Sequence, residues 1–128
     1  LKEKDKPRLT FMHCVSEYPI SSLKNLNLIN IPEIAKLTNK EVGFSDHSKG
    51  FIAPTYSVSL GARVIEKHFT VDNSLEGADH AMSSNIEDFK EMIDKCEDVL
   101  KILGEKRSDD IHYDCENNST QFCVKTEI

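Results

Sequence analysis

No stretch of this chain approaches the ~18 consecutive apolar residues that a bilayer-spanning helix requires. The start, Leu1-Lys2-Glu3-Lys4-Asp5-Lys6, is charged and has behind it no apolar segment of the kind an export signal carries. A soluble, unsecreted, cytoplasmic protein is expected. Cysteine is scarce: Cys14, Cys96, Cys115 and Cys123 lie too far apart for a CxxC zinc or redox motif and are too few for a disulfide scaffold. They are expected to be reduced thiols. Positive charge is in deficit, with 16 Lys plus Arg against 22 Asp plus Glu and a net charge of -6, which argues against a nucleic-acid-binding surface. What the 128 residues do contain is 38% apolar side chains, periodically spaced, enough for one compact unit and not for two.

Thr10 to Ser16 is a short, mostly apolar run after a charged, Pro-containing lead-in, and reads as a buried strand. Leu26, Ile29, Ile34 and Leu37 suit one face of a helix, with Pro32 near its start or kinking it. Glu41 to Ser45 is a second strand, and Gly50 to Leu60, with Pro54 in its first turn and Gly61 as a stop, a second helix. Arg63 to His68 is a third strand. Thr70 to Ser83 is polar and loop-like, long enough to be functional. Ser84 and Glu87 fit a capping box, and Ile86, Phe89, Met92, Ile93, Cys96, Val99, Leu100 and Leu103 recur at helical steps up to Gly104. Residues 105–128 are polar, acidic and aperiodic, and read as a linker after a 1–104 unit. The chain begins at Leu1 rather than methionine, which suggests processing or a piece of something longer.

Repeated strand–helix order implies parallel strands with crossover helices, an α/β class. Three strands with helices on one side leave a sheet face uncovered, so a larger, closed assembly is implied. In such folds ligands bind at the carboxyl ends of the strands. The three strands end in Ser16-Glu17-Tyr18-Pro19, Ser45-Asp46-His47-Ser48 and Glu66-Lys67-His68-Phe69. His47 and His68 end consecutive strands, which lie about 4.8 Å apart, within reach of one metal ion. The alternative is that each histidine caps a turn or bonds a carbonyl, the more frequent case for an isolated pair. His13 reads as a packed or surface residue, and His80 and His112 have no spacing argument.

Gly43-Phe44-Ser45-Asp46-His47-Ser48-Lys49-Gly50, Val64-Ile65-Glu66-Lys67-His68-Phe69, His13-Cys14-Val15-Ser16-Glu17-Tyr18-Pro19 and Gly77-Ala78-Asp79-His80 together resemble the sialic acid synthase family. These enzymes condense phosphoenolpyruvate with an N-acylated amino sugar to give N-acetylneuraminate, legionaminate or pseudaminate. The match runs from about Thr10 to Gly104. It implies a TIM barrel of which this chain supplies the last three of eight strand–helix units, with residues 105–128 leading towards an antifreeze-like domain. It also implies a homodimer in which that domain of one subunit covers the barrel mouth of the other.

Position by position, the resemblance implies that His47 and His68 ligate a divalent metal, and imidazole favours Mn²⁺ over Mg²⁺. The metal would polarise the open-chain sugar aldehyde for attack by C3 of phosphoenolpyruvate. Glu66 matches a glutamate that orients water or moves a proton; by itself it reads as an exposed strand-end carboxylate. Ser16 and Ser45 match positions that bind phosphoenolpyruvate, and Tyr18 and Asp79 match sugar-contacting positions. Asp46 is expected to brace its loop and Lys67 to point outward. The sequons at Asn117 and Asn118 need an export route that nothing signals, and the last helix reads as a core face rather than a partner-binding one. The competing expectations are an inactive truncated chain and a weak metal-binding module on His47 and His68.

Overall fold

The computed structural model describes residues 9–77 and 79–104. Its strands are β1 (Phe11–Cys14), β2 (Val42–Asp46) and β3 (Ile65–Lys67); its helices are α1 (Asn30–Thr38), α2 (Ile52–Ser59) and α3 (Ile86–Leu103). The strands form one parallel sheet in the order β1-β2-β3. The α/β class and the parallel sheet expected from the strand–helix alternation are therefore present. Among the described residues no helix is long and apolar enough to cross a membrane.

Side chains alternate across a strand, so the register divides the sheet into two unlike faces. His13, Phe44 and Ile65 are aligned on one, with Val42 on the same side. Here α1 lies against β1 and β2, and α2 against β2. Leu26, Ile31, Val42, Phe44, Ala53 and Ala62 form the core between them. Phe44 and Ile31 are completely buried, each contributing about 1.5–3 kcal/mol by removal from water. His13 is a packed residue: its Nε2 lies 2.6 Å from the Leu26 carbonyl and its ring stacks on Phe44. The other face carries Met12 beside Gly43, and Cys14 aligned with Ser45 and Glu66. No described helix packs on it. A Cβ on Gly43 would collide with the Met12 sulfur and come within 2.7 Å of the Val64 carbonyl, so a side chain is excluded there.

Several boundaries differ from those the pattern gives. β1 ends at Cys14, not Ser16, because the Val15 carbonyl leaves the ladder to accept from His47 Nδ1 and the Glu17 amide. The helix expected from Leu26 is two elements. A 3₁₀ turn at Leu23–Leu26 ends at Asn27 with φ 46°, a left-handed residue that an α-helix cannot run through, and α1 starts only at Asn30. The buried face therefore turns to Ile31, and Ile29 and Leu37 are 65% and 82% exposed. Asn85, not Ser84, caps α3, its Oδ1 accepting from the Asp88 amide at 2.8 Å. The Ser84 backbone is already engaged: its amide donates to the His68 carbonyl and its carbonyl accepts from Thr70. α3 packs on α2 and buries only Met92 fully, leaving Ile86, Ile93, Leu100 and Leu103 exposed. Cys14 and Cys96 are free thiols. Cys115, Cys123, His112 and the expected linker lie outside the described residues.

Candidate active site

The polar residues past the strand ends converge at one edge of the uncovered face. In the layer nearest the sheet, Ser45 Oγ donates to Glu66 Oε1 at 2.7 Å. Continuing outward, the His47 and His68 rings stand 5.4 Å apart, centre to centre, at 69°. The Tyr18 ring lies 4.0 Å from His47 and 5.8 Å from His68, so three rings from three different strand ends meet. Tyr18 is brought there by the turn after β1, where the Ile20 amide donates to the His47 carbonyl at 3.1 Å. Glu17 closes this turn. Hydrogen bonds from the Ser21 and Asn25 side chains hold its carboxyl below the usual carboxylate range.

His47 Nδ1 is 2.8 Å from the Val15 carbonyl. A carbonyl can only accept, so Nδ1 carries a proton and the Nε2 lone pair of the neutral ring is left available. His68 Nδ1 faces Asp79 Oδ2 at 3.9 Å, beyond hydrogen-bond range but within ionic reach. Ser16 is exposed, two residues past the end of β1. Tyr18, Ser45, Glu66, His47, His68 and Asp79 are thus gathered at one edge. Among the described residues no group of three or more His, Cys, Asp or Glu side chains forms a ready-made metal cage. His47 and His68 offer two donors, and the tautomer fixed on His47 is the one a metal ligand needs.

Asp46 braces its loop as expected: its Oδ1 accepts from the Ser48 amide at 2.9 Å. Lys67 does not point into solvent. Its Nζ is 2.6 Å from Asp46 Oδ2 and 2.6 Å from the Ser48 carbonyl, and its side chain is 2% exposed. The register explains this, since Asp46 and Lys67 are directly opposed on the helix-covered side of the sheet. The loop expected over Thr70 to Ser83 contains a 3₁₀ turn at His80–Met82 and is closely tied. Thr70 Oγ1 lies 2.8 Å from His80 Nδ1, and Asn73 Nδ2 donates to the His80 and Ser83 carbonyls, each at 2.8 Å. Sequence reasoning gave no role to Thr70 or Asn73 and had no spacing argument for His80. The available signal was the Asp72-Asn73-Ser74 cluster, a composition that forms side-chain-to-backbone turns. A cavity of about 220 Å³ with Lys49, Asn73, Ser83 and Asp88 among its walls opens beside this loop and does not include the histidine pair.

The NeuB family model matches residues 1–108. The chain is 44% identical over 108 residues to pseudaminic acid synthase of Campylobacter jejuni, covering 84% of this chain and 31% of that one. It is 41% identical over 104 residues to N,N'-diacetyllegionaminic acid synthase of Legionella pneumophila, covering 80% and 29%. Among solved structures, an N-acetylneuraminic acid synthetase from Leptospira borgpetersenii superposes with a TM-score of 0.80 at 32% identity, over 94% of this chain and 41% of that one. The chain spans about three-tenths of the length of the curated relatives it matches.

Proposed function

The chain belongs to the NeuB family, and from that premise we propose that it is the carboxyl-terminal part of the barrel of a cytoplasmic synthase that condenses phosphoenolpyruvate with an N-acylated amino sugar. The products are a sialic-acid-like nonulosonate and phosphate. The observation that carries this reading is the convergence of Tyr18, His47 and His68 at the carboxyl edge, with the hydrogen-bonded Ser45–Glu66 pair two residues back along β2 and β3. The bare sheet face supports the barrel assignment. Met12, Cys14, Gly43, Ser45 and Glu66 all lie on that face, the one a closed barrel turns inward. The family's homodimer, with an antifreeze-like domain over the neighbouring barrel mouth, is part of the same proposal.

Each residue has a defined task. Tyr18 and Asp79 receive the sugar, the tyrosine by its ring face and hydroxyl, the aspartate by accepting from sugar hydroxyls. Ser16 and Ser45 donate to the phosphoenolpyruvate carboxylate or phosphate. Ser45 has one hydroxyl proton and gives it to Glu66, so binding phosphoenolpyruvate exchanges that bond. Glu66 keeps its second carboxylate oxygen free to orient the water that adds at C2 or to accept its proton. In balance, C3 of phosphoenolpyruvate bonds to the sugar aldehyde carbon, water supplies the new oxygen at C2 and phosphate leaves. His47 and His68 would hold a divalent ion, Mn²⁺ in preference to Mg²⁺, through imidazole nitrogen. Such an ion supplies Lewis-acid polarisation of the aldehyde oxygen.

The test is phosphate release by the protein at its full encoded length, given phosphoenolpyruvate and N-acylated amino sugars, with Mn²⁺ affinity measured alongside. His47→Ala and His68→Ala are each expected to weaken Mn²⁺ binding at least about tenfold and to abolish condensation. Unchanged Mn²⁺ affinity in both variants would remove them as ligands. Absence of condensation with every N-acylated amino sugar tried would refute the activity.

A further inference from the structure

Asp79 is an exposed member of the candidate site, with its side chain 61% accessible, and sits at the end of a long excursion from β3. A carboxylate on such a loop binds a sugar well only if its backbone is already fixed, because ordering the loop would otherwise be charged against binding. The backbone is fixed. The Asp79 carbonyl accepts from the Met82 amide at 3.3 Å, the Ser83 amide at 3.0 Å and Ser83 Oγ at 2.7 Å. That turn is held from outside by Asn73, whose amide nitrogen spends both its protons on the His80 and Ser83 carbonyls, one at each end of the turn. Thr70, 3% exposed, anchors the assembly to the strand side. Its amide donates to the Ser84 carbonyl and its hydroxyl meets His80 Nδ1.

We infer that Asn73 and Thr70 are positioning residues for the amino sugar, acting through Asp79 by clamping the 79–83 turn so that its carboxylate is held towards His68. The inference rests on the synthase reading and extends it to residues that do not touch substrate. The phosphoenolpyruvate ligands proposed above, Ser16 and Ser45, lie on other strand ends, so the clamp serves one substrate and not the other.

The test is steady-state kinetics of the full-length protein with both substrates varied. Asn73→Ala is expected to raise KM for the sugar about tenfold, equivalent to ~1.4 kcal/mol, with kcat and the phosphoenolpyruvate KM each within about twofold. Thr70→Val, nearly isosteric but lacking the hydroxyl, is expected to do the same, and Thr70→Ser to restore the parent value. In an Asp79→Ala background Asn73→Ala is expected to add nothing, the signature of a residue acting through another. Full additivity there, an equal rise in both KM values, or an unchanged sugar KM would overturn the inference. Should Asn73→Ala not fold, the Thr70 pair decides alone. A parent protein without condensation activity refutes the synthase reading and this inference with it; an active parent indifferent to these substitutions refutes only the inference.

Discussion

Replacing Lys67 by methionine is expected to destabilise the fold by about 3–5 kcal/mol, the range for breaking a buried ion pair from one side. Lys67 and Asp46 side chains are 2% and 0% exposed, with 2.6 Å between Nζ and Oδ2. The same ammonium donates to the Ser48 carbonyl, and the Ser48 amide donates back to Asp46. Methionine fills most of the volume but supplies no donor. The Asp46 carboxylate then keeps one of its two bonds, and the Ser48 carbonyl loses its lysine donor in a loop that is itself buried. Desolvation of the stranded groups dominates over the few tenths of a kcal/mol that a change of side-chain shape alone would cost. Urea unfolding of the full-length protein measures the loss, and the cycle through Asp46→Asn, Lys67→Met and the double variant measures the pairwise part, expected at about 2–3 kcal/mol. A loss below about 1 kcal/mol is what an exposed surface pair gives. That result would place the ammonium in solvent and refute the argument. Because Asp46 and Ser48 flank His47, the variant should also weaken Mn²⁺ binding beyond its effect on stability.

Gly43→Ala puts a methyl against the Val64 carbonyl, which must shift to admit it; a loss of about 1–3 kcal/mol by thermal melting is expected, and a neutral substitution would show that the strands are not so closely set. Asn85→Ala should cost about 1 kcal/mol by removing the cap of α3, and Ser84→Ala clearly less; the reverse order would restore the capping box read from the sequence. The Asp72 carboxyl is held below the usual range first by the Ser74 amide and then by its hydroxyl. Its folded pKa lies below its unfolded one, so its contribution is complete above the unfolded value of about 3.9 and disappears as pH falls through the folded value. Asp72→Asn should therefore flatten the acid limb of a melting-temperature profile below about pH 4; an unchanged limb would exclude the assignment.

What the sequence made legible, and what it hid, follows from how locally each feature is encoded. The parallel sheet was legible because three apolar runs alternate with helical segments and each strand ends in a polar cluster, a pattern that depends on single residues very little. His47 and His68 were legible as a pair because strand spacing alone puts consecutive strand ends side by side. Lys67 was not. A lysine beside a histidine at a strand end is ordinarily solvated, and only the register, which sets it opposite Asp46 on the covered face, buries it. The helix starting at Leu26 failed for a related reason: Leu26 and Ile34 do share a core, but through a 3₁₀ turn and a left-handed Asn27 that hydrophobic spacing does not record.

The loop from Thr70 to Ser83 is the sharper case, because the hydrogen bonds that close it join residues two to fourteen apart without any period. Thr70 to His80, Asn73 to His80 and Asn73 to Ser83 are contacts of a folded excursion, and no helix or strand template predicts them. If the strand ends carry the chemistry common to the family, substrate choice belongs in the excursions that stand above them. On the synthase reading, exchanging residues 70–83 with those of a relative of different sugar specificity should move KM for the sugar before it moves kcat, because this excursion carries Asp79 and its Asn73 clamp but none of the groups assigned to the reacting atoms.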